Sequence, residues 1–193
     1  MKSKVSPAKP LRSQPTRDRI LKAAKLIFGR DGYDHATIRA IADEADINPA
    51  MVMRYYGNKD ALFAAVTDFQ VDFSAFATAP KSRLGESIVR LALEMWESPE
   101  TGPSRRAILL TALSNETGRA KYISQYQNQS AELLRRFGSS KRVADAAALI
   151  GTQVVGLLVL RYILRVPEIT SLSHEYLVRE VGRTLQNYMR KLG

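Results

Sequence analysis

The chain has 193 residues, 45% hydrophobic and 25% charged, with 29 Lys+Arg against 19 Asp+Glu and a formal net charge of +10. That length holds one large domain or a small one plus a larger one, and the charge favours a polyanionic partner, nucleic acid or an anionic membrane. With no cysteine in the sequence, disulfides, zinc–cysteine sites and thiol catalysis are excluded, and the composition is compatible with a reducing cytoplasm.

Residues 1–14 place Lys2, Lys4, Lys9 and Arg12 among Ser and Pro. They are expected to be a disordered basic tail, or an arm adding phosphate or minor-groove contacts. No apolar run follows the first lysines, so no secretory signal is expected. Residues 15–60 predict three short helices of a DNA-binding domain. Thr16 is placed to cap the first, whose apolar positions Ile20, Ala23, Ala24, Ile27 and Phe28 recur at helical spacing. Gly32 fits a left-handed stop. Thr37 caps the second helix, with Ile38, Ile41 and Ala45 inward. Asn48 caps the third, and Pro49 at its first position needs no N–H. The short Ala45-Asp46-Ile47 connection predicts a helix-turn-helix, with Asp46 at positive φ.

Residues 61–193 predict a helical ligand-binding and dimerisation domain. Asn58 caps a fourth helix whose stripe Leu62, Val66, Phe69, Phe73 and Phe76 runs on to Ala79-Pro80. Further helices are expected over Ser82–Trp96, Ser104–Ser114 and Gly118–Phe137. A long eighth helix carries Val143, Ala147, Ile150, Val154, Leu157, Arg161 and Leu164, and is closed by Pro167. Ser173 caps a ninth. The sum is an all-α fold of about nine helices. The most apolar run, Ala146–Leu160, is shorter than the roughly 20 residues a membrane span needs, so it is expected to be a buried helix with no membrane partner.

The third helix is expected to read bases with Asn48, Ala50, Met51, Met53 and Arg54. Met51 and Met53 suit core packing equally well, while Val52 and Tyr56 are the better core candidates. Tyr55, Lys59 and Thr37 suit phosphate contacts, Arg39 suits either role, and Lys59 is otherwise a solvated charge. Helices eight and nine suit homodimerisation through Ala147, Ile150, Gly151, Val154, Leu157, Leu158 and Arg161 with Leu177, Val181, Leu185 and Tyr188; the alternative is that they complete the monomer core. An effector pocket is expected from Phe69, Phe73, Met95, Trp96, Leu110, Leu113 and Tyr126, with Thr111 and Asn115 as polar contacts, each of them otherwise plain core. Only two histidines are present, His35 and His174, far apart and without ligand spacing. Neither a phosphate-cradling glycine loop nor a nucleophile motif occurs, so no enzyme, metal or cofactor is expected.

The segments TRDRILKAAKLIFGRDGY, TIRAIADEADI and NPAMVMRYYGNKDAL resemble the TetR family of transcriptional regulators. The resemblance implies phosphate contacts by Thr37, Tyr55 and Lys59, and base reading by the helix from Asn48. Asp46 stands where glycine is usual and Met53 where tyrosine or another large residue is common. More loosely, GTQVVGLLVLRYILRVPEI is similar to the family's ligand-binding and dimerisation region. The family implies a cytoplasmic, nucleoid-associated homodimer on a palindromic operator, usually a repressor, with a small apolar or aromatic effector in the C-terminal domain. The alternatives are an activator on the same fold and a helical scaffold without specific DNA binding.

Overall fold

The computed structural model describes residues 14–68, 78–138 and 140–190. Within them lie ten α-helices and no strand. The first four are α1 (Gln14–His35), α2 (Ile38–Glu44), α3 (Pro49–Tyr56) and α4 (Lys59–Val66). Local chemistry sets most of their ends. The Thr37 hydroxyl accepts from Ala40 N at 3.0 Å, Asn48 Oδ1 from Ala50 N at 2.8 Å, and Asn58 Oδ1 from Ala61 N at 2.7 Å. Asp46 holds φ 52, the positive value the tight turn before α3 demands. Two boundaries differ from expectation. Helix α1 already includes Gln14, so Thr16 lies inside its first turn rather than capping it. Gly32 has positive φ, but its ψ of 177 is extended rather than left-handed helical, so it kinks α1 and one more turn follows to His35.

The fourth helix stops at Val66, short of the long stripe expected. Thr67 Oγ1 donates back to Phe63 O at 2.7 Å, a bond that competes with helix propagation. Phe69, Phe73 and Phe76 lie outside the described residues. Ile20, Ile27, Phe28, Ile41, Val52, Leu62 and Val66 form the core of this first unit. Phe28 and Tyr33 each meet Phe63 edge to face at 5.1 Å.

A 3-10 turn (Lys81–Arg83) leads into α5 (Leu84–Glu97), followed by α6 (Gly102–Ser114), α7 (Glu116–Phe137) and α8 (Lys141–Leu158). A π-helical turn (Val159–Ile163) extends α8; the short α9 (Pro167–Thr170), unexpected from the sequence, and α10 (His174–Arg190) complete the described residues. Ser173 caps α10 as expected, its hydroxyl accepting from Tyr176 N at 3.2 Å. Helices α5, α8 and α10 share a core of Leu84, Val89, Leu93, Ile150, Leu157, Val178 and Leu185. Along α5 and α10 the backbones nearly touch: a Cβ on Gly85 would stand 2.0 Å from Gly182 O.

Two expectations about the eighth helix are corrected. Helix α8 with its π turn is 23 residues long, and its most apolar 18-residue stretch has a mean hydropathy of 2.0, long and apolar enough to cross a membrane by length and composition. Nor is it buried on all sides, since only 28% of its apolar window is covered. Leu149, Leu160 and Leu164 are 48%, 38% and 63% exposed.

The π turn serves a polar hub. Tyr162 Oη donates to Glu97 Oε1 at 2.7 Å, and His174 Nε2 lies 2.9 Å from Glu97 Oε2. Arg161 points its Nε toward Glu97 at 3.8 Å and donates to Ile169 O and Leu172 O at 2.9 and 3.0 Å. The hub thus ties α5 to both ends of the α8–α10 connection. Burial alone would raise the Glu97 carboxyl; the Tyr162 hydroxyl, His174 and the Arg161 guanidinium outweigh it and hold it below its ordinary 4.5. A depressed carboxylate stabilises fully above the ordinary value and loses that contribution as pH falls through the lower folded value. Thermal melts from pH 6 to pH 3 should therefore show a shallower acid decline for Glu97→Gln than for the parent; parallel declines would remove Glu97 from the acid response.

Candidate functional site

The outer face of α3 follows from its inner one. Val52 is 1% and Tyr56 9% exposed, and Tyr56 Oη donates to Arg17 O at 3.1 Å, with the Arg17 guanidinium 5.1 Å from its ring. These contacts fix the rotation of α3 about its axis. Ala50, Met53 and Arg54 are then exposed, and Met51 and Tyr55 half-buried. Arg54 lies 5.5 Å from the Tyr55 ring centre. Of the two methionines, Met53 is therefore the solvent-facing one, at 43% exposure. Asn48 is exposed, but its Oδ1 is committed to capping, and a bidentate adenine contact would draw on the same oxygen.

Thr37 caps with its lone pair, which leaves the hydroxyl hydrogen free to donate at the N-terminus of α2. Arg39 is exposed on the same short helix. Lys59 is neither solvated at random nor stretched outward. Its Nζ sits 4.4 Å from the Tyr33 ring centre and 3.5 Å from Asp34 O. The Tyr33 hydroxyl in turn donates to Asp60, and that bond first, with burial second, pushes it up to about 12. Tyr33 thus remains a protonated donor holding the end of α1 against the start of α4.

Of the residues expected to line a pocket, the structure brings together Met95, Trp96 and Tyr126. They border a cavity of about 90 Å³ between α5, α6, α7 and α8, with Ile108, Tyr122 and Leu158. Arg105, Gln125 and Gln129 add polar groups that the sequence did not single out. Burial lowers the Arg105 guanidinium to about 10. Gly151, expected at a dimer face, instead accommodates Tyr126: a Cβ there would stand 2.0 Å from the phenol oxygen.

Leu110, Thr111, Leu113 and Asn115 do not line that cavity. Leu113 is 70% exposed. The other three form the junction between the first unit and the rest. Leu110 faces the α1 kink, where a Cβ on Gly32 would meet its Cβ at 3.5 Å. Thr111 Oγ1 accepts from Tyr33 N at 3.2 Å and donates to Ala107 O at 2.7 Å. Asn115 Nδ2 donates to Asp34 Oδ1 at 3.4 Å, while its Oδ1 caps α7 at Gly118 N. Higher on the junction, a Cβ on Gly29 would stand 2.6 Å from Pro103 O, so α1 lies directly on the start of α6.

The expected dimer residues divide in the same way. Ala147, Ile150, Leu157, Leu158, Leu177 and Leu185 are each at most 9% exposed within the single chain, so they are monomer core rather than interface. Arg161 is spent on the α9–α10 carbonyls. Val154, Val181 and Tyr188 keep partial exposure while packing against the α5–α8–α10 core, and Val154 also borders the central cavity. Periodicity finds an apolar stripe but does not say which chain covers it.

Comparison with known proteins agrees with this layout. The family profile "Bacterial regulatory proteins, tetR family" matches residues 20–66, and "Tetracyclin repressor-like, C-terminal domain" matches residues 82–189. The HTH-type transcriptional regulator UidR of Escherichia coli K12 is 39% identical over 54 residues, 28% of each chain. The HTH-type transcriptional repressor NicS of Pseudomonas putida is 40% identical over 53 residues, which span 28% of this chain and 25% of NicS. The matched stretch thus spans about a quarter of each relative's length. Among solved structures, the multidrug binding protein EbrR complexed with malachite green superposes with a TM-score of 0.63 at 19% identity, covering 89% of this chain and 96% of that one.

Proposed function

Since the chain belongs to the TetR family and is a DNA-binding transcriptional regulator rather than an enzyme, we propose that it acts as a homodimeric repressor on a palindromic operator and is released by a small apolar or aromatic effector. The observation that carries this reading is the fixed rotation of α3, which buries Val52 and Tyr56 and leaves Ala50, Met53 and Arg54 facing out. Arg54 suits guanine edges, and Ala50 and Met53 suit thymine methyls. Thr37, Arg39, Tyr55 and Lys59 flank that face as phosphate contacts, with Lys59 swinging off the Tyr33 ring to reach the backbone.

The uncovered leucines of α8 supply a reason for two copies. The exposed apolar side chains Leu149, Leu160 and Leu164 lose water when a second chain covers them. Two reading heads then address half-sites about 34–36 Å apart, one turn of DNA. The name of NicS supports the repressor sign. Regulation of this kind takes place in the cytoplasm, on the nucleoid.

The cavity beside Trp96 and Tyr126 is the effector chamber in this reading. At about 90 Å³ it is smaller than the roughly 150 Å³ cavity that admits benzene. A larger aromatic ligand therefore enters only by displacing side chains, and Tyr126 over Gly151 is placed to move. EbrR, of the same fold, is seen with the triaryl dye malachite green, which agrees with an aromatic ligand class. Displacement on α6 and α7 reaches α1 through Pro103, Thr111 and Asn115. The effector can shift the reading heads only by as much as it prefers the released state.

The test is binding to the DNA upstream of the protein's own gene, with random duplex as control. A protected palindrome should bind in the nanomolar range, about 10³-fold or more tighter than random DNA. With 6–10 phosphate contacts, affinity should fall by about 10³–10⁵ between 50 and 200 mM salt. Equal affinity for palindrome and random sequence would mean the protein is not an operator reader.

A further inference from the structure

The geometry points to a second small-molecule site, separate from the central cavity, in the open groove between α1 and the α5–α6 connection, with a small aromatic carboxylate as its ligand. The groove encloses about 410 Å³, within the range of small-molecule sites. Leu26, Pro99 and Tyr162 supply apolar wall, and Lys22, Lys25 and Arg106 supply three cations. Among the described residues none of these cations is in an ion pair. Lys25 donates only to the Glu100 carbonyl at 3.3 Å, and Arg106 Nη1 lies 3.5 Å from the Trp96 carbonyl.

The charge around Arg106 is uncompensated in a specific way. Its guanidinium is half-buried and faces a second cation, Arg165, so burial first and then repulsion lower its basicity. The carboxylate lining the groove, Glu97, is already engaged by Tyr162, His174 and Arg161. A carboxylate entering here would meet a planar two-pronged donor in Arg106 and a second charge in Lys25, the geometry in which charge-assisted bonds are strongest. Its ring would lie against Leu26, Pro99 and Tyr162. Such a ligand touches α1 on one wall and the α5–α6 connection on the other. Its lining residues lie on α1, α5, α6, the α5–α6 connection and the π turn rather than on α3, which separates it from the proposed reading face.

The test uses calorimetry on the full-length chain with 1-naphthylacetate and its neutral counterpart 1-naphthylacetamide. The acid should bind at least about tenfold tighter than the amide, the effect of one charge-assisted contact. Arg106→Gln combined with Lys25→Gln should abolish that preference, and Leu26→Trp should block both compounds by filling the wall. Gly151→Ala, which crowds the central cavity, should leave the preference in place. Melting temperatures establish that each variant is folded. Equal binding of acid and amide overturns the assignment, as does an absence of binding up to about 1 mM. Loss in Gly151→Ala with retention in the Arg106/Lys25 variant would move the ligand to the central cavity and also overturn it. These measurements involve no DNA, so they fail or succeed independently of operator binding.

Discussion

Arg54→Ala leaves the protein folded and removes most of its preference for the operator. Arg54 is exposed on α3 with its guanidinium 5.5 Å from the Tyr55 ring centre, so the substitution should change stability by no more than about 0.5 kcal/mol. One guanidinium–guanine contact contributes about 1–3 kcal/mol of discrimination, and the proposed dimer would lose it twice, about 2–6 kcal/mol in all. Affinity for random DNA should drop far less, because it depends on charge rather than on the fork geometry. Arg54→Lys separates the two effects: it keeps the charge and should recover non-specific binding without recovering specificity. Fluorescence anisotropy at a single fixed salt concentration reads all three proteins. An Ala variant within about twofold of the parent on the operator would take Arg54 out of base reading.

Gly85→Ala is expected to have the largest effect on stability. The added Cβ would stand 2.0 Å from Gly182 O and 2.8 Å from Gln186 N, both backbone atoms of α10 that cannot rotate aside. The same seam is pinned by Gln186, whose Oε1 accepts from Gly85 N and whose Nε2 donates to Lys81 O, each at 3.0 Å. Separating the helices would also loosen Leu84, Val89, Val178 and Leu185 behind them. The cost should be at least about 3 kcal/mol, the upper part of the overpacking range. For a chain of this size that lowers the melting temperature by about 6–12 °C. Gly156→Ala is the contrasting case, since nothing lies within 4 Å of its added Cβ in the single chain. There the better helix propensity of alanine should add up to about 1 kcal/mol. If Gly85→Ala melted with the parent, the close approach of α5 and α10 would not be what holds this end of the molecule.

What could be read from the sequence was what is decided within a few residues. The caps at Thr37, Asn48, Asn58 and Ser173 each depend on a side chain meeting an amide two or three positions on. Asp46 at positive φ and Pro49 at the head of α3 are equally local. The inward pair Val52 and Tyr56 followed from helical spacing. Whatever depended on the partner across a gap was out of reach. Leu110, Thr111 and Asn115 have the composition of pocket residues, yet they join two units, because α1 rather than a ligand lies over them. Helices α8 and α10 presented one apolar pattern, and the structure divides it between monomer core and exposed face. The Glu97 hub and the cationic groove bring together residues far apart in the chain, and no spacing rule connects them.

The contact of Gly29 with Pro103 also has a mechanical meaning. The stretch of α1 before its kink at Gly32 rests on Pro103 at Gly29, as on a fulcrum, and its other end is fastened to α3 by the Tyr56–Arg17 bond. The arm from Gly29 to Arg17 is about 18 Å at 1.5 Å per residue, so a tilt of about 10° at the fulcrum carries Arg17 about 3 Å. That is close to the 3.4 Å step between base pairs. A glycine at the fulcrum brings α1 within touching distance of α6, leaving little slack to absorb such a tilt. On the proposed function, small displacements around the cavity would appear at the DNA as a shift of one base step, without any large rearrangement of the molecule.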